Sequence, residues 1–274
     1  MGEHKHVHSV EEDDVELERL KLQEDTVDSP TIRHLRARIG VSQGWKCLEV
    51  GAGAGSIAQW LSNRVGATGK VVATDLNTKF LNLIHAPNLE IRQHNILKDE
   101  LEEGQFDLVH CRKLLIHLPE PEKAVKRMAD ALRPGGWLLV EEDDYGSILS
   151  LDVTNPSLAP LTAVLRTVYD ALRERGIADV YFGRRVRGLV EGLGFMDLGQ
   201  EGWTFIGRGG EREPESRVAA AAWQSVSKPM IAAGVITQEQ SESIHRMQLD
   251  PTYYYPFYTL FCAWGRKPVG ERRN

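Results

Sequence analysis

Between Trp45 and Asp143, short apolar runs alternate with helical patterns, and this alternation allows a narrow set of folds. WKCLEV (45–50), VVATD (71–75), NLEIRQHN (88–95), FDLVHC (106–111) and WLLVEED (137–143) read as strands. Helices are expected at 55–65, near 77–86 and at 121–132. The third opens on Pro121 and sets Ala124, Val125, Met128 and Leu132 at helical spacing before Arg133-Pro134-Gly135-Gly136 ends it. Short apolar strands alternating with helices indicate a parallel sheet between two helical layers. Two later segments, 194–208 and the aromatic run 253–267, bring the strands to seven. The expected fold is α/β: a doubly wound, mostly parallel seven-stranded sheet with helices on both faces.

The flanks carry weaker signals. Ser9 and Glu12 have capping-box spacing for a helix from Val10 to Gln23. A second helix is expected with Ser29 as N-cap, Pro30 at its first position, Gly40 at its end, and Ile32, Leu35 and Ile39 on one face. Beyond Tyr145, helices are expected at 156–175 (capped by Asn155), 183–193, 214–233 and 237–248. Pro256 interrupts the last strand, which places an edge or a bend there.

Composition removes several function classes. No apolar run approaches the roughly 20 residues that cross a bilayer. The opening MGEHKHVHSVEEDD lacks a secretory pattern, so a cytoplasmic protein with no membrane contact is expected. Residues 1–30 hold ten acidic side chains against three basic ones, and the rest is close to neutral. A nucleic-acid partner would favour a broad basic field, which is missing. Arg33, Arg36 and Arg38, and Arg184, Arg185 and Arg187, read as solvated helix faces. Cys47, Cys111 and Cys262 are too few and scattered for disulfides or a zinc cluster, so reduced thiols and no metal are expected. His4, His6 and His8 read as part of a terminal tail.

The most informative stretch is Leu48-Glu49-Val50-Gly51-Ala52-Gly53-Ala54-Gly55-Ser56, where a strand runs into three alternate glycines and then a helix. Glycine permits the tight turn and lets a ligand approach bare backbone. The helix N-terminus offers unpaired N–H groups. A dinucleotide fingerprint would require glycine at position 56, which is Ser56. An NAD-linked oxidoreductase is therefore disfavoured.

The order of acidic residue then G-x-G-x-G resembles the first motif of the class I S-adenosylmethionine-dependent methyltransferases. Further motifs follow in that family's order: Asp75 ending the second strand, Asn95-Ile96 after the third, and FDLVHCRKLLIHLPEPEKAVKRMADALRPGGWLLVEED as fourth strand, helix and fifth strand. The resemblance implies S-adenosyl-L-methionine as cofactor. It implies Gly51, Gly53, Gly55 and Glu49 around its methionine part, Asp75 on the ribose, Leu76, Asn95 and Ile96 on the adenine, and Cys111 and Arg112 near the sulfonium. Read as residues alone, Gly55 also suits close helix packing, Cys111 a small apolar filler, and His117 a packed histidine as well as a base. His117, Asp143 and Asp144 are the candidate catalytic residues, because a hydroxyl or enol acceptor must lose a proton.

The implied organisation is a tail and lid helices at 1–40, with Glu18, Arg19 and Gln23 over the site. A cofactor-binding core follows at 41–150, and acceptor-binding helices with the last strands occupy 151–274. Aromatic residues such as Tyr145, Tyr169, Trp203, Trp223 and Tyr258 are available to enclose an acceptor. The expected partner is a small-molecule acceptor (a quinone, phenol, indole or other secondary metabolite), and the expected state a monomer or homodimer. A nucleic-acid or protein methyltransferase, or a cofactor-binding protein of this fold that does not methylate, is the alternative.

Overall fold

A computed structural model of the chain describes residues 10–146, 159–210 and 212–269. Its sheet has seven strands: β1 Lys46–Val50, β2 Lys70–Asp75, β3 Leu89–Gln93, β4 Phe106–Arg112, β5 Leu132–Asp144, β6 Met196–Arg208 and β7 Tyr254–Arg266. They lie in the order β3-β2-β1-β4-β5-β7-β6. The first five are parallel, and β7 runs antiparallel between β5 and β6. The helices are α1 Val10–His34, α2 Ser56–Val65, α3 Pro121–Ala131, α4 Ala159–Glu174, α5 Val186–Gly192, α6 Pro214–Ala232 and α7 Gln238–Leu249. The expected α/β fold is the one observed.

Two helical layers cover the sheet. α3 and α5 pack on the face that presents Leu48, Val50, Val109, Cys111, Leu138 and Val140. The other face presents Cys47, Leu108, Leu139 and Trp264 to α2 and the end of α1. Further along that face, Tyr258, Leu260 and Cys262 pack with α4, α6 and α7.

Four expectations need correction. The N-terminal segment is one helix, α1, continuing into a π-turn at Leu35–Ile39 that Gly40 closes at φ 75°; Ser29 and Pro30 lie inside it. Val27, Pro30, Thr31, His34 and Leu35 form a buried face at helical spacing, and that packing offsets the hydrogen bond that proline removes. The helix expected at 77–86 is reduced to a single turn, Leu81–Leu83. β7 is interior rather than the end of the sheet. Pro256 sits beyond the last β5 pairing, at Thr259, beside a register shift between Phe205 and Ile206 of β6. β5 begins at Leu132, and 133–136 bulge out between the pairs Phe106–Leu132 and Leu108–Trp137. The expected Asn155 cap lies outside the described residues.

Gly55 precedes α2 at φ 92°, and a Cβ there would stand 2.3 Å from Ile84 Cδ1 and 2.8 Å from Leu81 Cδ2. Gly55→Ala is expected to destabilise the fold by about 1–2 kcal/mol through backbone strain and crowding. Urea unfolding measures this, and an unchanged midpoint would contradict it.

Candidate active site

The chain reverses direction across the sheet between β1, which leads outward to β2, and β4 on its other side. Open α/β folds place ligands in such a crevice, at the carboxyl ends of the strands. A cavity of about 490 Å³ lies there, lined by Gly51–Ala54 after β1, Asp75 at the end of β2, Arg112–Leu114 and His117 after β4, and Asp143 on β5.

Its first end is backbone. Gly51 and Gly53 have φ of 72° and 60°. Gly51 and Ala52 donate their N–H groups to the Thr74 carbonyl, and Gly53 N–H donates to Asp75 Oδ2 at 3.0 Å. A Cβ on Gly53 would meet nothing nearer than Leu20 Cδ2 at 3.8 Å, so the missing side chain leaves open space. A Cβ on Gly51 would press on Leu114 at 3.1 Å. Glu49 lines this end with 4% exposure. A bare loop beside two carboxylates suits a ligand with hydroxyls and a cationic group.

α1 covers this end. Arg19, Leu20, Gln23 and Glu24 line the cavity. Glu24 Oε1 accepts the Ser56 N–H at the start of α2, and Asp28 Oδ1 accepts both Ser56 Oγ and Arg112 Nη2. Glu18 pairs instead with Arg217 on α6.

The second end is apolar. Leu165, Leu172, Val180, Ala219, Trp223 and Val226 contribute to its walls. At the junction, Lys113 Nζ lies 2.9 Å from Asp143 Oδ2, donates to Tyr258 Oη at 3.0 Å, and sits 4.1 Å above the Tyr258 ring. Tyr145 Oη also donates to Asp143 Oδ2. Lys113 has φ 54°, a conformation uncommon for a side-chain-bearing residue. Burial pushes Asp143 up and Lys113 down, each charge offsetting part of the effect on the other. His117 is exposed toward the cavity, yet the surrounding protein lowers its pKa. Glu142 Oε1 accepts the N–H groups of Leu114 and Leu115 and so fixes the turn that carries His117. Burial raises Glu142 to about 8.

The structure thus brings Glu49, Gly51, Gly53, Asp75, Arg112, His117 and Asp143 around one cavity. The other sequence candidates lie outside its lining. Gly55 packs on Leu81 and Ile84. Cys111 and Ile96 are buried in the apolar core. Leu76 is 61% exposed beyond β2. Asn95 caps a turn by accepting the Leu97 N–H. Asp144 is held by Arg184 and accepts the Gly146 N–H.

A set of buried residues behind Glu49, outside the cavity lining, escaped the sequence reading. His110 Nδ1 lies 2.7 Å from Glu49 Oε2 and its Nε2 lies 3.2 Å from Glu141 Oε2. Glu141 Oε1 lies 3.0 Å from His34 Nδ1, and Glu141 Oε2 accepts from Thr31 Oγ1 at 2.5 Å. His34, Glu141 and Cys262 bring ligand-type atoms within 4.8 Å of one another, and hydrogen bonds occupy the first two. Their signal was available: ionisable residues inside strands buried on both faces must find partners. Arg33, Arg36 and Arg38 are exposed as expected, with Arg33 and Arg38 paired to Glu201.

Residues 48–140 match the methyltransferase-domain family. The stretch from β1 to β5 therefore carries a methyltransferase domain. A methyltransferase of Strobilurus tenacellus, str3, is 30% identical over 180 residues, 65% of this chain and 62% of that one. A ubiquinone biosynthesis O-methyltransferase of Paracidovorax citrulli is 36% identical over 105 residues, 35% of this chain and 42% of that one. The chain thus spans less than two thirds of these relatives. A solved putative methyltransferase from Bacillus halodurans shares the fold at TM-score 0.52 and 18% identity, over 91% of this chain and 98% of that one. Phosphoethanolamine N-methyltransferase 2 of Haemonchus contortus, solved with S-adenosylhomocysteine, shares it at TM-score 0.54 and 17% identity, over 88% and 52%. No helix among the described residues is long and apolar enough to cross a membrane.

The buried imidazole gives a pH test. Burial opposes charge on His110, but the Glu49 charge and the hydrogen bonds it donates to both glutamates raise its pKa from 6.5 to about 9. A group with a raised folded pKa stabilises fully below its unfolded value and loses that contribution as pH rises through the folded one. Stability is therefore expected to fall between pH 6.5 and about 9, by on the order of 3 kcal/mol from this group. Tm measured against pH should show the decline, and His110→Gln should shallow it; a slope identical in both proteins would contradict the assignment.

Proposed function

We propose that this protein transfers a methyl group from S-adenosylmethionine to a hydroxyl oxygen on a small, largely apolar molecule such as a phenol or hydroxyquinone. The observation that carries the reading is the two-ended cavity, with bare backbone and carboxylates at one end and an apolar chamber at the other. Asp75 takes the ribose hydroxyls, and Glu49 and the 51–54 loop take the amino-acid end. Residues 1–40 cover the cofactor, 41–150 form its binding core, and 151–274 wall the acceptor. The O-methyltransferase relatives support an oxygen acceptor. A cytoplasmic location and a monomeric or homodimeric state belong to the same proposal.

S-adenosylmethionine supplies a methyl group already activated by positive sulfur. The chain's task is to hold the acceptor in line with that methyl group and exclude water. The apolar walls hold the acceptor's body, and Lys113 and Asp143 orient its hydroxyl at the junction. As the acceptor oxygen bonds to the methyl carbon, the electrons of the broken carbon–sulfur bond stay on sulfur, and the acceptor's proton passes to the His117 imidazole. A lowered His117 pKa keeps that ring neutral and ready to accept at pH 7.

Incubation with methyl-labelled cofactor and a panel of phenols and hydroxyquinones should move label into the organic product. His117→Ala should lower turnover by about tenfold or more and remove the acid limb of the pH profile below 6.5. A loss of less than about threefold across pH 6–9 would exclude His117 as the base.

A further inference from the structure

Under α1, carboxylates and imidazoles alternate in an unbroken chain across the sheet. Glu49 on β1 meets His110 on β4, His110 meets Glu141 on β5, and Glu141 meets His34 on α1. His34 Nε2 then lies 3.2 Å from Glu201 Oε2 on β6. Strand register builds this band: Glu49 pairs with His110, Arg112 with Glu141, and Cys262 with both Glu141 and Glu201, so these side chains share one face. His110, Glu141 and His34 have no exposed surface. Arg112 from β4, Thr31 from α1 and Cys262 from β7 face the same groups, and Arg33 and Arg38 close the outer end on Glu201.

His110, between Glu49 and Glu141, donates from both nitrogens, which requires the charged form. His110 occupies Glu49 Oε2, which stops the carboxylate rotating and leaves Oε1 for a ligand in the cavity. Neither His110, Glu141 nor His34 lines the cavity, so any influence they have on a ligand passes through Glu49 or through α1. α1 in turn supplies both His34 and the cavity-facing Leu20 and Glu24.

We infer that His110, Glu141 and His34 are positioning residues that fix the Glu49 carboxylate for the cofactor's amino-acid end and couple its grip to the seating of α1. The inference rests on the cofactor site proposed above. Removing a link leaves Glu49 free to rotate and loosens α1 over the loop, so cofactor affinity falls while the chemistry at the acceptor persists.

Calorimetry with S-adenosylhomocysteine on folded protein tests this. His110→Gln keeps a donor for Glu49 but loses the second bond, and should raise Kd by about tenfold with kcat at saturating cofactor within about threefold. Met128→Leu, a volume-conserving change in the core on the opposite sheet face, should leave Kd within about twofold. If His110→Gln does not fold, His34→Gln reads the same coupling from its far end and should raise Kd by about fivefold. In the wild-type protein, the ligand should slow hydrogen exchange of α1 amides 24–34. A folded His110→Gln or His34→Gln with wild-type Kd, or α1 exchange indifferent to ligand, would overturn the inference. No binding by the wild-type protein would instead remove the cofactor reading, and this inference with it.

Discussion

Glu49, Glu141, Glu142 and Asp143 lie almost without exposure near the carboxyl ends of β1 and β5, and each needs partners inside the protein. Much of the remaining architecture supplies them. β4 brings His110, Arg112 and Lys113; α1 brings Thr31 and His34; and the turn after β4 brings its own N–H groups to Glu142. Leaving a buried charge such as Glu141 unpaired costs about 3–5 kcal/mol, so α1, which brings Thr31 and His34 to it, is held by more than apolar contact.

That pairing gives the cavity its division of labour. Charge is neutralised beneath and beside the glycine loop, which leaves bare backbone and the Asp75 carboxylate facing open space. The chamber beyond Lys113 and Asp143 is walled by α4, α6 and α7, elements attached around the antiparallel β6–β7 pair. The parallel core therefore lines one end of the cavity and the C-terminal helices the other.

The parallel strands and the glycine loop were legible because strand length, alternation and turn residues are local properties. α1 was harder to read. Its buried face mixes Val27 and Leu35 with Thr31 and His34, so a search for an apolar stripe finds two short helices and not one long one. The 77–86 segment sets Phe80, Leu83 and Ile84 at helical spacing, yet only Leu81–Leu83 form a single turn, under Gly55. Asp144 and Asp143 are adjacent in sequence, but alternation along β5 sends one to Arg184 and the other to the cavity. His110 and Glu141 were legible as residue types, while their meeting depends on the order of strands that sequence spacing leaves open.

The account turns on the loop at 51–54 and Asp75 being shaped for an adenosyl sulfonium. Equilibrium titration of S-adenosylhomocysteine against the wild-type protein and Gly53→Val tests that most directly, because the substitution fills the open space above the loop. Saturable one-to-one binding to the wild-type protein, weakened about 30-fold or more in a folded Gly53→Val, is the expected result. Equal binding by both proteins, or none by either, would contradict it.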